Sequence, residues 1–69
     1  MTRSSVRSSA ILSIGYSAEA SALEIEFIGG AVYLYRGVPP ETYLDLVNAD
    51  SKGTYFNVAI RPKYPSARA

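Results

Sequence analysis

The stretch that decides the fold is Leu23-Glu24-Ile25-Glu26-Phe27-Ile28-Gly29-Gly30-Ala31-Val32-Tyr33-Leu34-Tyr35-Arg36. Its first five residues alternate apolar and acidic without a break, the pattern of a strand with one buried and one wet face. Gly29 and Gly30 tolerate positive φ and mark a tight hairpin, with residues 31–36 as the return strand. Turn length then fixes where every side chain of that strand points. A two-residue turn sets Phe27 opposite Val32, Ile25 opposite Leu34 and Leu23 opposite Arg36. Tyr33 and Tyr35 then share a face with Glu24 and Glu26. A three-residue loop with a glycine bulge shifts the register by one and moves both tyrosines to the Leu23, Ile25, Phe27 face. The two-residue turn is preferred here, because it separates apolar from polar side chains more completely.

Toward the N-terminus, residues 10–16 are rich in strand formers and place Leu12, Ile14 and Tyr16 on one side at period two. Residues 17–21 are small and read as a turn. Toward the C-terminus, Val38-Pro39-Pro40-Glu41 is a helix start. Proline suits the first helical position, and Glu41 suits the positive end of the helix dipole. Tyr43, Leu44 and Val47 fall on one helical face with Leu46 beside it. Asn48-Ala49-Asp50 breaks that helix, and Ser51 is a natural N-cap for a second. Tyr55, Phe56, Ala59 and Ile60 recur at helical spacing until Pro62 stops them. A strand over residues 54–60 is the competing reading, since Tyr, Phe, Val and Ile favour sheets. The expected fold is α+β: a three-stranded antiparallel meander followed by two short helices packed on one face, with residues 1–6 and 65–69 as frayed tails.

Sixty-nine residues make a single domain, 1–69. Seven Lys and Arg stand against six Asp and Glu, a net charge of +1, so the chain lacks the broad basic excess of a dedicated DNA binder. It has no Cys and no His, which removes zinc fingers, thiol chemistry, imidazole bases and disulfide staples together. An unstapled chain this short is expected to be marginally stable, and dimerisation is one way to supplement its core. Residues 1–10 are Ser-rich and basic without an apolar centre, so no secretory leader is expected. No apolar run approaches a membrane span. A cytoplasmic, non-enzymatic protein without cofactor or metal is the expectation.

An ordered set of residues carries a family resemblance. Val6-x-Ser8-Ser9-x-Ile11, Gly15-Tyr16, Leu23-x-Ile25-x-Phe27-x-x-Gly30, Tyr33-x-Tyr35-x-x-Val38-Pro39, Ala49-x-Ser51-Lys52-Gly53-x-Tyr55-Phe56-Asn57 and Ile60-Arg61-x-x-Tyr64 follow one another along the chain. Together they resemble the KTSC domain, named for its place at the C-terminus of some lysyl-tRNA synthetases and also found as a free-standing short bacterial protein. The resemblance runs from Val6 to about Pro65, with Tyr33 and Tyr35 carrying the central Tyr-x-Tyr hallmark. It implies an RNA-binding candidate, through association with a synthetase, and no established role beyond that.

Five residues stand out as a candidate RNA surface: Tyr33, Tyr35, Arg36, Lys52 and Arg61. Two same-face tyrosines on an exposed strand make a stacking platform for unpaired bases. They are equally ordinary sheet aromatics packed on a helix or a dimer mate. In the preferred register Glu24 and Glu26 lie beside them and would repel phosphate. Lys52, after the Ser51 cap, can meet an anion at a helix start, or be merely solvated. The segment is no Walker loop, since the Lys precedes the Gly. Arg61, Lys63 and Arg68 with Tyr64 form a basic, aromatic C-terminal strip that fits RNA contact or simply complements a helix end. Ser8-Ser9 lacks a base to make either a nucleophile. Asn57, between Phe56 and Val58, reads as a structural hydrogen-bonder near the core. The carboxylates form no metal cage or acid/base pair. The partner is expected to be RNA, either tRNA or single-stranded, with a protein partner or a homodimer as the alternative. RNA binding should weaken steeply with salt, whereas a protein interface should fail on Tyr33→Ala or Tyr35→Ala.

Overall fold

The hairpin turns over three residues, not two. In the computed structural model, which describes residues 1–69, the Phe27 N–H donates to the Ala31 carbonyl at 2.8 Å and the Gly30 N–H to the Phe27 carbonyl at 3.0 Å. Gly29 and Gly30 both take positive φ, 106° and 100°. Strand β3 (Ala22–Phe27) and strand β4 (Val32–Arg36) therefore pair Leu23 with Tyr35 and Ile25 with Tyr33. The preferred two-residue register is thus corrected by one step. Both tyrosines lie on the apolar face, and Glu24 and Glu26 lie on the other, opposite Leu34 and Val32. The physical reason is ring burial. A tyrosine carries a large apolar ring with one polar tip, and covering that ring outweighs keeping the hydroxyl among carboxylates. Tyr35 is only 5% exposed.

Strand β2 (Ile11–Ser17) lies antiparallel on the far side of β3. Its register slips between Ile11, opposite Phe27, and Ser13, opposite Glu26. Leu12 is the extra residue of this bulge and is 44% exposed, so Ile11 takes the core position expected of Leu12. Two further strands replace the expected tails. Strand β1 (Arg3–Ser5) pairs with β2, and strand β5 (Ser66–Arg68) pairs with β4. The sheet is a five-stranded antiparallel meander in the order β1-β2-β3-β4-β5. On the face away from the helices, Arg3 ties three strands together. Its Nη1 meets Glu24 Oε1 at 2.8 Å and its Nε donates to Ser13 Oγ at 3.1 Å. Ser13 in turn donates to Glu26 Oε1 at 2.8 Å. Gly15 permits the close approach of the N-terminal segment, since a Cβ there would stand 2.8 Å from the Thr2 carbonyl oxygen.

Helix α1 (Pro40–Asn48) starts with Pro40 after an extended Pro39, as the proline signal requires, with Glu41 in its first turn. Leu46 is its fully buried residue, while Leu44 is 52% exposed, the reverse of the expected emphasis. Helix α2 (Lys52–Tyr55) is capped by the Ser51 hydroxyl, which accepts from the Thr54 N–H at 3.3 Å. It runs straight into a π-helical turn, Phe56–Ile60, where the Arg61 N–H reaches back to the Phe56 carbonyl at 2.9 Å. Residues 54–60 are therefore helical rather than a strand. Phe56 and Ile60 point into the core with Ile14, Leu23, Ile25 and Val38. Tyr16 fastens α1 to the sheet: its hydroxyl donates to the Val38 carbonyl at 2.6 Å, and its ring stacks on Tyr43 at 4.6 Å and 7°. No helix is long and apolar enough to cross a membrane.

Candidate ligand groove

The register that buries Tyr35 also shapes a groove of about 620 Å³ on the helical face of the sheet. Its floor is Tyr33 and Tyr35 of β4 with Phe27 at the end of β3. Its wall is the π-helical turn, which contributes Phe56, Asn57 and, one step beyond, Arg61. A π turn widens a helix locally and recurs at functional sites. Ile11 and Ala10 close one end, where Gly53 lets α2 approach: a Cβ on Gly53 would lie 3.2 Å from the Ala10 Cβ. Ser66 of β5 closes the other end. The groove therefore draws on the sheet from the start of β2 to the start of β5.

The four rings interlock edge to face. Phe27 meets Tyr33 at 6.0 Å and 74°, and Phe56 at 5.2 Å and 65°. Tyr35 meets Phe56 at 5.3 Å and 79°. Such T-shaped contacts fix ring orientation through the aromatic quadrupole. Tyr33 stands at the end of this chain with a single aromatic neighbour and is half-buried, in contrast to Tyr35. Burial pushes the Tyr35 hydroxyl above its ordinary ionisation range, while Ser66 and the Arg61 charge pull the other way and Tyr33 adds slightly to the rise. Tyr35 is consequently a neutral floor residue at physiological pH.

The five sequence-derived site residues divide. Tyr33, Tyr35 and Arg61 come together at the groove. Arg36 does not: it alternates with Tyr35 along β4 and so lies exposed on the opposite face. Lys52 does not either. Its Nζ donates to the Ala49 carbonyl at 3.1 Å, at the C-terminal end of α1, where a cation complements the helix dipole. Arg68, in contrast, lies directly across from Tyr33 and so on its face of the sheet. Asn57 corrects a further expectation, because it is exposed on the groove wall rather than tucked toward the core. Its four-residue spacing from Arg61 was the available signal for a shared face. Phe27 and Phe56 read only as core aromatics. No carboxylate lines the groove, and no three acidic side chains converge anywhere in the structure.

The KTSC domain family model matches residues 7–64, which spans β2 through both helices to the turn before β5. The chain belongs to the KTSC domain family. The KTSC domain protein of Yersinia pestis, seen in a crystal structure, superposes on it with a TM-score of 0.93 at 39% identity, covering 99% of this chain and 96% of that one. An uncharacterised protein of Stutzerimonas stutzeri is 44% identical over 64 residues, 93% of this chain and 90% of its own length. A lysine–tRNA ligase of Nostoc punctiforme is 45% identical over 56 residues, which is 81% of this KTSC chain but 10% of the ligase. The same module thus occurs both at its own length and as a small part of a much larger protein.

Proposed function

We propose that this KTSC domain is a non-enzymatic binding module for single-stranded RNA, with the groove between β4 and the π-helical turn as its contact surface. The observation that carries the reading is the separation of charge across the sheet. Tyr33 and Arg61 share the groove, whereas Glu24 and Glu26 lie on the far face. The carboxylates that would repel phosphate beside the tyrosines are therefore screened from them by the sheet itself. An aromatic side chain next to a guanidinium is the combination that holds an unpaired base and its backbone. The related segment in a lysine–tRNA ligase, a protein named for a tRNA substrate, is in keeping with RNA as the partner. A cytoplasmic setting belongs to the same proposal.

Fluorescence anisotropy of a labelled single-stranded RNA across a salt series tests it. Binding is expected at physiological salt, with log K falling by about 0.7 per phosphate contacted for each tenfold rise in salt. Tyr33→Ala should weaken it by the stacking of one base, about 1–3 kcal/mol. Association that vanishes at modest salt, or that is indifferent to Tyr33, rejects RNA. Contact with a protein partner or a second copy then becomes the reading to pursue.

A further inference from the structure

The groove is apolar on one side and polar on the other, and strand order fixes which is which. Its lining crosses the sheet from Ile11 on β2, through Phe27 on β3 and the tyrosines on β4, to Ser66 on β5. Three strand spacings of roughly 4.8 Å make that crossing about 14 Å long. The β2 side holds only Ala10, Ile11 and Phe27, and Phe56 spans the middle by touching both Phe27 and Tyr35. On the β5 side, Ser66 lies directly across the ladder from Tyr35. The Tyr35 hydroxyl feels both the Ser66 hydroxyl and the Arg61 charge. Polar groups from β4, β5 and the end of the π-helical turn therefore meet on one side of the groove.

Two of these three are placed to meet a ligand. Arg61 is exposed and takes part in none of the side-chain hydrogen bonds or ion pairs within the protein. No carboxylate lines the groove to compete for it. A guanidinium is a fork of donors with a fixed positive charge, matched in shape to phosphate. Ser66 is exposed while Tyr35 is 5% exposed, so Ser66 is the hydroxyl on the ligand side and Tyr35 stands behind it. A serine O–H turns to suit an acceptor and adds a second donor beside the guanidinium.

The number of cations limits what is held. Arg61 is the one lysine or arginine in the lining. Arg3 is paired with Glu24 on the far face, Arg36 lies on that face too, and the Lys52 ammonium is turned to the Ala49 carbonyl. A volume of 620 Å³ lies within the roughly 300–1,000 Å³ typical of sites for small organic ligands. Both measures match one nucleotide better than a run of them. Resting on the single-stranded RNA reading, we infer that the groove is a one-phosphate site: Arg61 and Ser66 grip a single phosphate on the β5 side, and the nucleoside attached to it lies toward the apolar β2 side.

The test is displacement of a labelled single-stranded RNA from the full chain by three sets of competitors, each an equal mixture of the four bases: nucleosides, nucleoside 5′-monophosphates, and dinucleoside monophosphates without terminal phosphate. It is repeated with Arg61→Gln, Ser66→Ala and, as a control on the opposite face, Arg36→Gln. All three positions are exposed, and native amide NMR spectra confirm the fold first. Monophosphates are expected to displace RNA at a concentration about ten-fold below the nucleosides, the effect of one charge-assisted hydrogen bond. Arg61→Gln should abolish that advantage, Ser66→Ala should cut it about three-fold, and Arg36→Gln should leave it intact. The slope of log K for the RNA against log salt should total about 0.7, the value for one phosphate. If the dinucleoside monophosphates share the advantage, the phosphate held is one within a strand; if they lack it, the phosphate is a strand end. Both results uphold the site. Should RNA bind but nucleosides compete as well as monophosphates, should Ser66→Ala and Arg61→Gln keep the advantage, or should the slope reach that of two or more phosphates, the one-phosphate site is overturned and the RNA reading stands. If the wild-type chain binds no RNA, the underlying reading falls and takes this one with it.

Discussion

Tyr33 sits directly across the ladder from Ile25, so it faces the helices while its neighbours Val32 and Leu34 face away. One turn residue produces this. Ile28 joins Gly29 and Gly30 in the loop, and the extra residue rotates the whole return strand by one face. The groove exists only in that register, because the alternative would put both tyrosines beside Glu24 and Glu26 and leave Val32 and Leu34 as the floor.

Gly30 is one of the two loop positions, with Gly29, where that register is exposed to mutation. Its φ of 100° is open to glycine and strained for other residues, yet a Cβ there would meet nothing within 4 Å. Gly30→Ala should therefore destabilise through backbone strain alone, by about 1–3 kcal/mol. Urea denaturation measures the loss. The amide shifts of β3 and β4 in the surviving folded state should remain those of the wild type. Equal stability would mean that the loop relaxes freely and does not hold the register.

Leu44 and Leu46 make a matched pair for the core. Leu46 is fully buried and Leu44 is 52% exposed on the same helix. Leu46→Ala should cost about 2–5 kcal/mol, and in a domain this small should approach complete unfolding. Leu44→Ala should change stability by no more than about 0.5 kcal/mol. Thermal melts of the two variants read the contrast directly, and comparable losses would contradict the helix orientation.

Much of this was legible in the residues, and what was not has physical causes. The alternation of residues 23–27 and the Val38-Pro39-Pro40 start named a strand and a helix that the structure contains. The Ser51 cap did the same for the second helix. The register was not legible, because two consecutive glycines are compatible with either loop length. Strands β1 and β5 were missed since three exposed residues on a sheet edge are too short a run to carry a pattern. They are held by pairing to a neighbour and, for β1, by Arg3. In the groove, Tyr33, Tyr35 and Arg61 were named from sequence, whereas Arg36 was grouped with the tyrosines although strand alternation puts it on the opposite face in either register. Lys52 looked free because its acceptor, the Ala49 carbonyl, is created by the end of another helix.

Arg3 is expected to matter locally more than globally. Its bonds to Glu24 and Ser13 are partly solvated, with the Arg3 side chain 32% and the Glu24 side chain 18% exposed. Arg3→Ala should therefore lower stability by less than about 1 kcal/mol. Hydrogen exchange should show the consequence elsewhere: amides of β1 lose protection while those of β3 and β4 keep theirs. Uniform loss across the sheet would mean that β1 is part of the cooperative core.

Alkaline pH should unfold the domain through its tyrosines. Tyr16, Tyr35 and Tyr55 all have hydroxyls raised from the ordinary value of 10.0, in each case first by burial. Glu41 adds to the rise at Tyr16, and Asp45 and Tyr64 to that at Tyr55. A raised value means that the folded state holds its proton where the unfolded chain has released it. Stability from these groups is complete below pH 10 and declines as pH climbs from there through the folded values. Denaturation midpoints measured from neutral pH upward should be level and then fall. Tyrosinate absorbance should show Tyr16, Tyr35 and Tyr55 ionising late. Ionisation of these three at the ordinary value, without loss of structure, would rule this out.

The groove reading makes its sharpest demand on two arginines that differ only in the face they occupy. Arg61 lines the groove, and Arg36 lies exposed on the opposite side of the sheet with Glu24 and Glu26. Arg61→Gln and Arg36→Gln remove the same charge, so any effect of net charge alone is identical in the two. If RNA lies in the groove, Arg61→Gln should weaken binding and flatten the salt dependence by about one phosphate contact, while Arg36→Gln leaves both close to wild type. Equal losses would show that RNA responds to the overall charge of the domain rather than to a site. A larger loss at Arg36 would move the contact surface to the carboxylate face, where Glu24 and Glu26 stand against it.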